Sequence, residues 1–231
     1  MSVEFDEAAH AGPEHFDPAY VAGYDRKAAF DPAGDLAILR SRGLDRDSTL
    51  IDFGAGTGTF ALAVAPFCKH VIAVDVSPAM VAAIRTRAAD AGAENIRAVQ
   101  AGFLGYVHGG DPVDAIYTRN ALHHLPDIWK AVALGRMAGL LLEGGTLRLC
   151  DLVFSFPAAD AEAAIRRWID ATAADDPAVG WTRPELETHV RDEHSTFTWL
   201  LEPMLAEAGF EIVAAAYAPI GAYADYTCVR S

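Results

Sequence analysis

Between Leu50 and Phe60 the chain reads Leu-Ile-Asp-Phe-Gly-Ala-Gly-Thr-Gly-Thr-Phe, and no other stretch constrains the fold as much. The apolar run Thr49–Phe53 predicts a short buried strand, which breaks into glycines at alternate positions: Gly54, Gly56 and Gly58. Glycine at that spacing lets the backbone turn through conformations closed to other residues and removes side chains that would hold a ligand off. Thr59–Phe67 is helix-forming, so the turn ends at a helix N-terminus whose free N–H groups can face a polar ligand. Strand, glycine turn and helix together predict a nucleotide site in an α/β domain. A chain of 231 residues is long enough for one such domain with some additions.

The glycine spacing says which nucleotide. A dinucleotide fingerprint needs Gly-x-Gly-x-x-Gly/Ala. Counted from Gly54, the last place falls on Thr59, and the third glycine arrives one residue early at Gly58. Asp52 stands two places before the first glycine. The resulting Asp-x-Gly-x-Gly-x-Gly resembles motif I of class I S-adenosylmethionine (SAM)-dependent methyltransferases of the small-molecule type.

Further segments carry the same resemblance. His70–Val76 predicts a second strand with Asp75 at its end, placed to accept both ribose hydroxyl protons, a feature that dehydrogenases share. Val76-Ser77-Pro78-Ala79-Met80 resembles the methyltransferase pattern Asp-x-Ser-x-x-Met, in which Ser77 caps a helix, Pro78 opens it and Met80 lies against the adenine. Asn95–Gln100 predicts a third strand ending in Ala101-Gly102, where many members have an acid for the adenine amino group. The resemblance then implies that the N–H of Phe103 carries more of the adenine recognition, and that Gly102→Asp strengthens it. After a fourth strand within Asp111–Thr118, Arg119-Asn120-Ala-Leu-His-His-Leu-Pro126 resembles the segment that meets the amino-acid part of SAM. Tyr24–Lys27 resembles a lid segment. The implied cofactor contacts are Tyr24, Asp52, Gly54, Ala55, Gly56, Gly58, Asp75, Val76, Met80, Gly102, Phe103, Arg119 and Asn120.

The implied fold is a doubly wound α/β sheet of seven mostly parallel strands with an antiparallel last strand. Thr146–Leu152, Phe210–Ala218 and Ala222–Val229 complete it. Residues 1–34 read as an N-terminal helical lid, 35–154 as the SAM-binding core and 155–194 as an inserted helical cap. Residues 195–231 read as a C-terminal helix and strand hairpin. Ser195 or Thr196 is expected to cap that helix, and Gly144-Gly145 to end the one before strand five.

The implied reaction is in-line transfer of the SAM methyl group to a small molecule. His124 and His123, which follow strand four, and His194, at the exit of the cap, are the candidate bases, because imidazole can titrate near neutrality. The His-His pair can also be read as metal ligands. Adjacent residues point in different directions, however, and no acid or cysteine partner stands at ligand spacing, so no metal is expected. His10 and His15 read as bystanders, and His189 and Glu193 as surface residues. Two alternatives stay open. One is a SAM-binding protein without methyl transfer, suggested by the absent acid at Gly102. The other is a nicotinamide oxidoreductase, disfavoured by the glycine spacing.

Composition limits partners. The formal net charge is -14, from 32 acidic and 18 basic side chains, and such a surface repels nucleic-acid backbones. Cys68, Cys150 and Cys228 lie far apart, which fits neither a disulfide framework nor a zinc site and suits a reducing cytosol. Met1–His15 has no apolar signal-peptide core, and no apolar run approaches the ~20 residues of a membrane span. A cytoplasmic protein is expected; the acceptor and the oligomeric state are not legible.

Overall fold

The computed structural model describes residues 5–231, so the first four residues of the expected lid lie outside it. Five strands follow the chain as β1 (Thr49–Phe53), β2 (His70–Asp75), β3 (Ile96–Gln100), β4 (Val113–Arg119) and β5 (Leu141–Asp151). The two-residue strands β6 (Val153–Phe154) and β7 (Thr196–Phe197) pair only with each other, and β8 (Phe210–Tyr217) and β9 (Ala224–Arg230) close the main sheet. That sheet has the order β3-β2-β1-β4-β5-β9-β8. Its strands run parallel except β9, which is antiparallel to both β5 and β8. This is the expected seven-stranded topology.

The helices are α1 (Glu7–His10), α2 (Pro18–Lys27), α3 (Ala33–Ser41), α4 (Thr59–Val64) and α5 (Pro78–Asp90), then α6 (Asp127–Leu140), α7 (Ala161–Thr172), α8 (Arg183–Asp192) and α9 (Thr198–Glu207). Alternation along the strands sends Leu50, Val71 and Ala73 to one face and Ile51, Ile72 and Val74 to the other. On the first face Leu39 of α3, Phe60 of α4 and Ile84 of α5 cover the sheet; on the second, Leu134 and Met137 of α6 with Leu201 and Leu205 of α9. With both faces covered, the central strands are buried almost throughout.

One buried polar cluster ties α3 to the sheet. The Asp35 carboxylate accepts hydrogen bonds from Tyr117 Oη at 2.8 Å and Arg148 Nε at 2.8 Å, with Arg119 Nη1 at 3.2 Å. Removing one partner of a buried ion pair leaves the other unpaired, at a cost of about 3–5 kcal/mol.

Two expectations need correction. Gly144-Gly145 does not end α6; that helix stops at Leu140, and β5 begins at once. Gly144 has φ +76° inside β5, and its freedom there accompanies an irregular register between β4 and β5. Nor do Ser195 or Thr196 cap α9. Its N-cap is Phe197, while Thr196 lies in β7 and its hydroxyl donates to Asp127.

Candidate active site

In an open α/β sheet, ligands sit beyond the carboxyl ends of the strands where the order reverses, here between β1 and β4. The glycine loop leaves β1 at that point with φ of +67°, +55° and +84° at Gly54, Gly56 and Gly58, a region that other L-residues enter only with strain. A Cβ on Gly54 would lie 2.2 Å from Ala121 Cβ, so glycine there also lets the loop after β4 approach. Asn120 begins that loop with φ +51°, and its side-chain oxygen accepts a hydrogen bond from Tyr223 Oη at 2.7 Å. Asparagine tolerates this left-handed region better than most side chains, which suits the tight turn after β4.

Asp75 organises the opposite wall. Gly56 N–H donates to its Oδ2 and Ser77 N–H to its Oδ1, both at 2.9 Å. Ser77 Oγ in turn accepts from Met80 N–H at 3.1 Å, the expected cap of α5. Burial outweighs these bonds and pushes the Asp75 carboxyl up to about 6.

A cleft of about 690 Å³, open mouth included, follows these walls. Of the residues read from the sequence as cofactor contacts, it gathers Tyr24, Gly54, Gly56, Asp75, Val76 and Met80, and on its far side Gly102, Phe103, Arg119 and Asn120. Asp52 and Ala55 line an adjoining compartment beneath the loop, which Arg119 also reaches. Gly58 faces neither; it starts α4 in a left-handed conformation against Ile84. Two buried polar atoms around that compartment have no partner among the described residues, the acceptor Asp52 Oδ2 and the donor Arg119 Nε. Burial also holds the Asp52 carboxyl well above the usual range. An unpaired acceptor and an unpaired donor suit the ammonium and carboxylate of an amino acid, so the residues fit the methionine end of SAM as well as its ribose.

The far end of the cleft differs from the sequence reading. A Cβ on Gly102 would meet the Glu7 carboxylate at 2.3 Å. Glu7, from α1, points its side chain where an acid at position 102 would sit, and its Oε1 accepts from Leu104 N–H at 2.9 Å and Gly105 N–H at 3.1 Å. A carboxylate from the N-terminal segment thus lies beside the end of β3, where the chain itself carries no acid. Sequence spacing had no means of finding it, since 95 residues separate Glu7 from Gly102.

A second, larger cavity of about 1430 Å³, open mouth included, adjoins the cleft. Tyr20, Trp168, Trp181 and Tyr223 give it aromatic walls, and Trp168 comes from the buried face of α7. His15, Tyr24, Asn120 and His124 belong to both spaces and form the wall between them. His15 is therefore no bystander. Helix α2 is fastened over this junction. Asp25 accepts from the Thr57 hydroxyl and from Arg87 Nη1 at 2.7 Å, and Lys27 pairs with Glu185 of α8.

The three candidate bases have separate fates. His123 Nδ1 donates to Asp151 Oδ1 at 2.5 Å, and its Nε2 lies 3.1 Å from Glu193 Oε2. Burial would lower its pKa, but the Asp151 charge and hydrogen bond outweigh it and push it up to about 9. His124 is pushed down to about 3 by burial and by the neighbouring His123 charge. His194 lines neither space. Its N–H donates to His123 O at 2.9 Å and its carbonyl accepts from Lys130, so it braces the wall from behind. His189 and Glu193, read as surface residues, line the larger cavity.

Comparison with known proteins agrees with this geometry. Residues 50–145 match the family profile described as a methyltransferase domain. The uncharacterized methyltransferase YcgJ of Bacillus subtilis is 31% identical over 129 residues, and the match spans 55% of this chain and half of that relative. An uncharacterized methyltransferase of Geobacillus thermodenitrificans is 27% identical over 212 residues, covering 92% of this chain and 91% of its own. Magnesium protoporphyrin IX methyltransferase (ChlM) of Synechocystis PCC 6803, solved with bound SAM, superposes with a TM-score of 0.68 over the full length of both chains at 14% identity. The fold is thus that of SAM-binding methyltransferases. Residues 50–145 carry a methyltransferase domain in the fold of the class I SAM-dependent enzymes, and the residues lining the cleft fit SAM as its cofactor.

Two outcomes follow for the cofactor. Gly102→Asp, expected from sequence to strengthen SAM binding, instead sets a second carboxylate against Glu7; calorimetry should show weaker binding, and Glu7→Gln should relieve the loss in the double variant. Ribose hydroxyls donate to the ionised form of Asp75, so SAM affinity should rise with pH through about 6 and level off above it. One unit below that value only about a tenth of the protein carries the carboxylate. Asp75→Asn should flatten the profile.

Proposed function

We propose that this protein transfers the methyl group of SAM to a small-molecule acceptor seated in the aromatic cavity. One observation carries the reading: the cofactor cleft and that cavity share a wall of four residues, His15, Tyr24, Asn120 and His124. A methyl group leaving one space for the other passes between them.

Bound SAM supplies a carbon activated by positive sulfur and open to in-line displacement. The chain's task is then alignment and exclusion of water, which can contribute about 7–11 kcal/mol to lowering a barrier. Asp75 and the glycine loop hold the nucleoside, the Asp52–Arg119 compartment holds the amino-acid end, and α2 closes over both through Asp25 and Lys27. Tyr20, Trp168 and Trp181 offer flat apolar surface to the acceptor, which suits a ring-bearing molecule.

The two histidines that face the cavity are differently equipped for proton transfer. His123 is engaged on both nitrogens by Asp151 and Glu193. His124, with Nδ1 buried and unpartnered, is placed to accept a hydrogen bond from an acceptor hydroxyl. An acidic surface argues against a nucleic-acid substrate, and three buried free cysteines suit a reducing cytosol. No helix among the described residues is long and apolar enough to cross a membrane.

The test separates cofactor from acceptor. With a panel of aromatic hydroxyl and amine acceptors, the protein should form S-adenosylhomocysteine and methylated product in equal amounts. Asp75→Ala should weaken SAM binding roughly tenfold or more, by loss of charged hydrogen bonds worth about 1.5–3 kcal/mol. Trp181→Ala should leave SAM affinity unchanged and lower turnover. If Trp181→Ala turns over every acceptor as the parent does, the acceptor does not sit in the aromatic cavity.

A further inference from the structure

Three ligating side chains meet on one wall of the aromatic cavity. His123 comes from the turn after β4, while His189 and Glu193 stand one turn apart at the end of α8. Their facing atoms, His123 Nε2, His189 Nδ1 and Glu193 Oε2, all lie within 4.8 Å of one another. Both histidines are buried, and Glu193 is half-buried.

The outer nitrogens of both rings are already fixed. His123 Nδ1 is held by Asp151 Oδ1 at 2.5 Å, and His189 Nε2 by Ser195 Oγ at 2.8 Å. Asp151 is itself anchored by the N–H groups of His123 at 3.0 Å and Leu152 at 2.8 Å. A carboxylate or hydroxyl on the distal nitrogen sets the tautomer of a metal-binding histidine and turns its lone pair inward. Here the two inner nitrogens converge on one carboxylate oxygen, so a metal ion that displaces their protons would be held by all three side chains. A third nitrogen, His124 Nδ1, lies 3.9 Å from the same oxygen and has no hydrogen-bond partner among the described residues.

Magnitudes favour the fit. Ligands about 2.0–2.2 Å from an ion stand roughly 3–3.4 Å apart in tetrahedral or octahedral sites. His123 Nε2 and Glu193 Oε2 are 3.1 Å apart; His189 Nδ1 and Glu193 Oε2, at 2.5 Å, would have to open by less than an ångström. Two imidazoles and one carboxylate suit zinc and its borderline neighbours and leave coordination positions open. The sequence argued against a metal because nothing at ligand spacing flanks His123-His124. The missing partners come from α8, where His189 and Glu193 have the i, i+4 spacing of one helix face.

We propose that His123, His189 and Glu193 bind a divalent transition-metal ion of the zinc class, open on the cavity side to an oxygen of the methyl acceptor. The site stands on this geometry; the acceptor oxygen rests on the methyl-transfer reading above. A hydroxyl acceptor entering the open position gives its proton to solvent water. Its oxygen then bonds to the methyl carbon as the carbon–sulfur bond breaks, and the cofactor leaves as neutral S-adenosylhomocysteine.

The test uses the full chain, stripped with a chelator and titrated first with Co²⁺ and then with Zn²⁺. One equivalent of Co²⁺ should give visible ligand-field bands, and Zn²⁺ should displace it. Glu193→Gln, which keeps the shape of the side chain, and His189→Ala should each lower metal affinity by at least about tenfold. Ser195→Ala, removing only the anchor of His189 Nε2, should lower it by a smaller factor, at the bottom of the roughly 10–100-fold range of outer partners. SAM affinity, measured on the same samples by calorimetry, reports that each variant is folded. Absent Co²⁺ bands in protein that still binds SAM, or equal Zn²⁺ affinity in parent and variants, overturns the metal site. Intact Co²⁺ bands in protein that never forms S-adenosylhomocysteine would overturn the methyl-transfer reading and leave the metal site standing.

Discussion

The site depends on the carboxylate of Asp75, caught between two backbone N–H groups. Gly56 and Ser77 donate to its two oxygens, so one side chain fixes the apex of the glycine loop and the entry to α5 together. Gly56 reaches it only because its φ of +55° turns the N–H toward the end of β2. Moving that carboxylate would release the loop, the cap of α5 at Ser77 and the placement of Met80 at once. Each oxygen keeps further lone-pair capacity, which two ribose hydroxyls can use.

The N-terminal segment completes a site that the core only begins. Glu7 fills the space beside Gly102, the His15 carbonyl accepts a hydrogen bond from Ser77 Oγ at 2.6 Å, and Asp25 locks onto Thr57 and Arg87. Through Lys27 and Glu185 the same segment is tied to α8, which carries His189. Cofactor cleft and aromatic cavity thus share their cover as well as a wall. Charge is also matched inside: against the burial that would raise it, hydrogen bonds to His123 and His189 hold the Glu193 carboxyl well below its usual range.

What was legible in the sequence is what short-range pattern encodes. The glycine turn, the acid at the end of β2, the Ser-Pro opening of α5 and the apolar runs of β1 and β2 are local, and each stands where its residues placed it. Long-range replacement was not legible. Glu7 fills the space beside Gly102, where the sequence carries no acid, and nothing near Gly102 announces it. The histidines failed in another way. His189 and Glu193 share one helix face, a readable signal, but only the docking of α8 brings them to His123. His194 directs its backbone, not its ring, at the site, which sequence position alone does not reveal.

The central claim is that one cofactor cleft opens onto one acceptor cavity through the wall at His124. A crystal structure with S-adenosylhomocysteine tests it most directly. The account predicts ribose hydroxyls on Asp75, the adenine between Met80 and Phe103, and the sulfur facing the wall formed by His15, Tyr24, Asn120 and His124. A nucleoside bound elsewhere, or a sulfur closed off from the aromatic cavity, would contradict it.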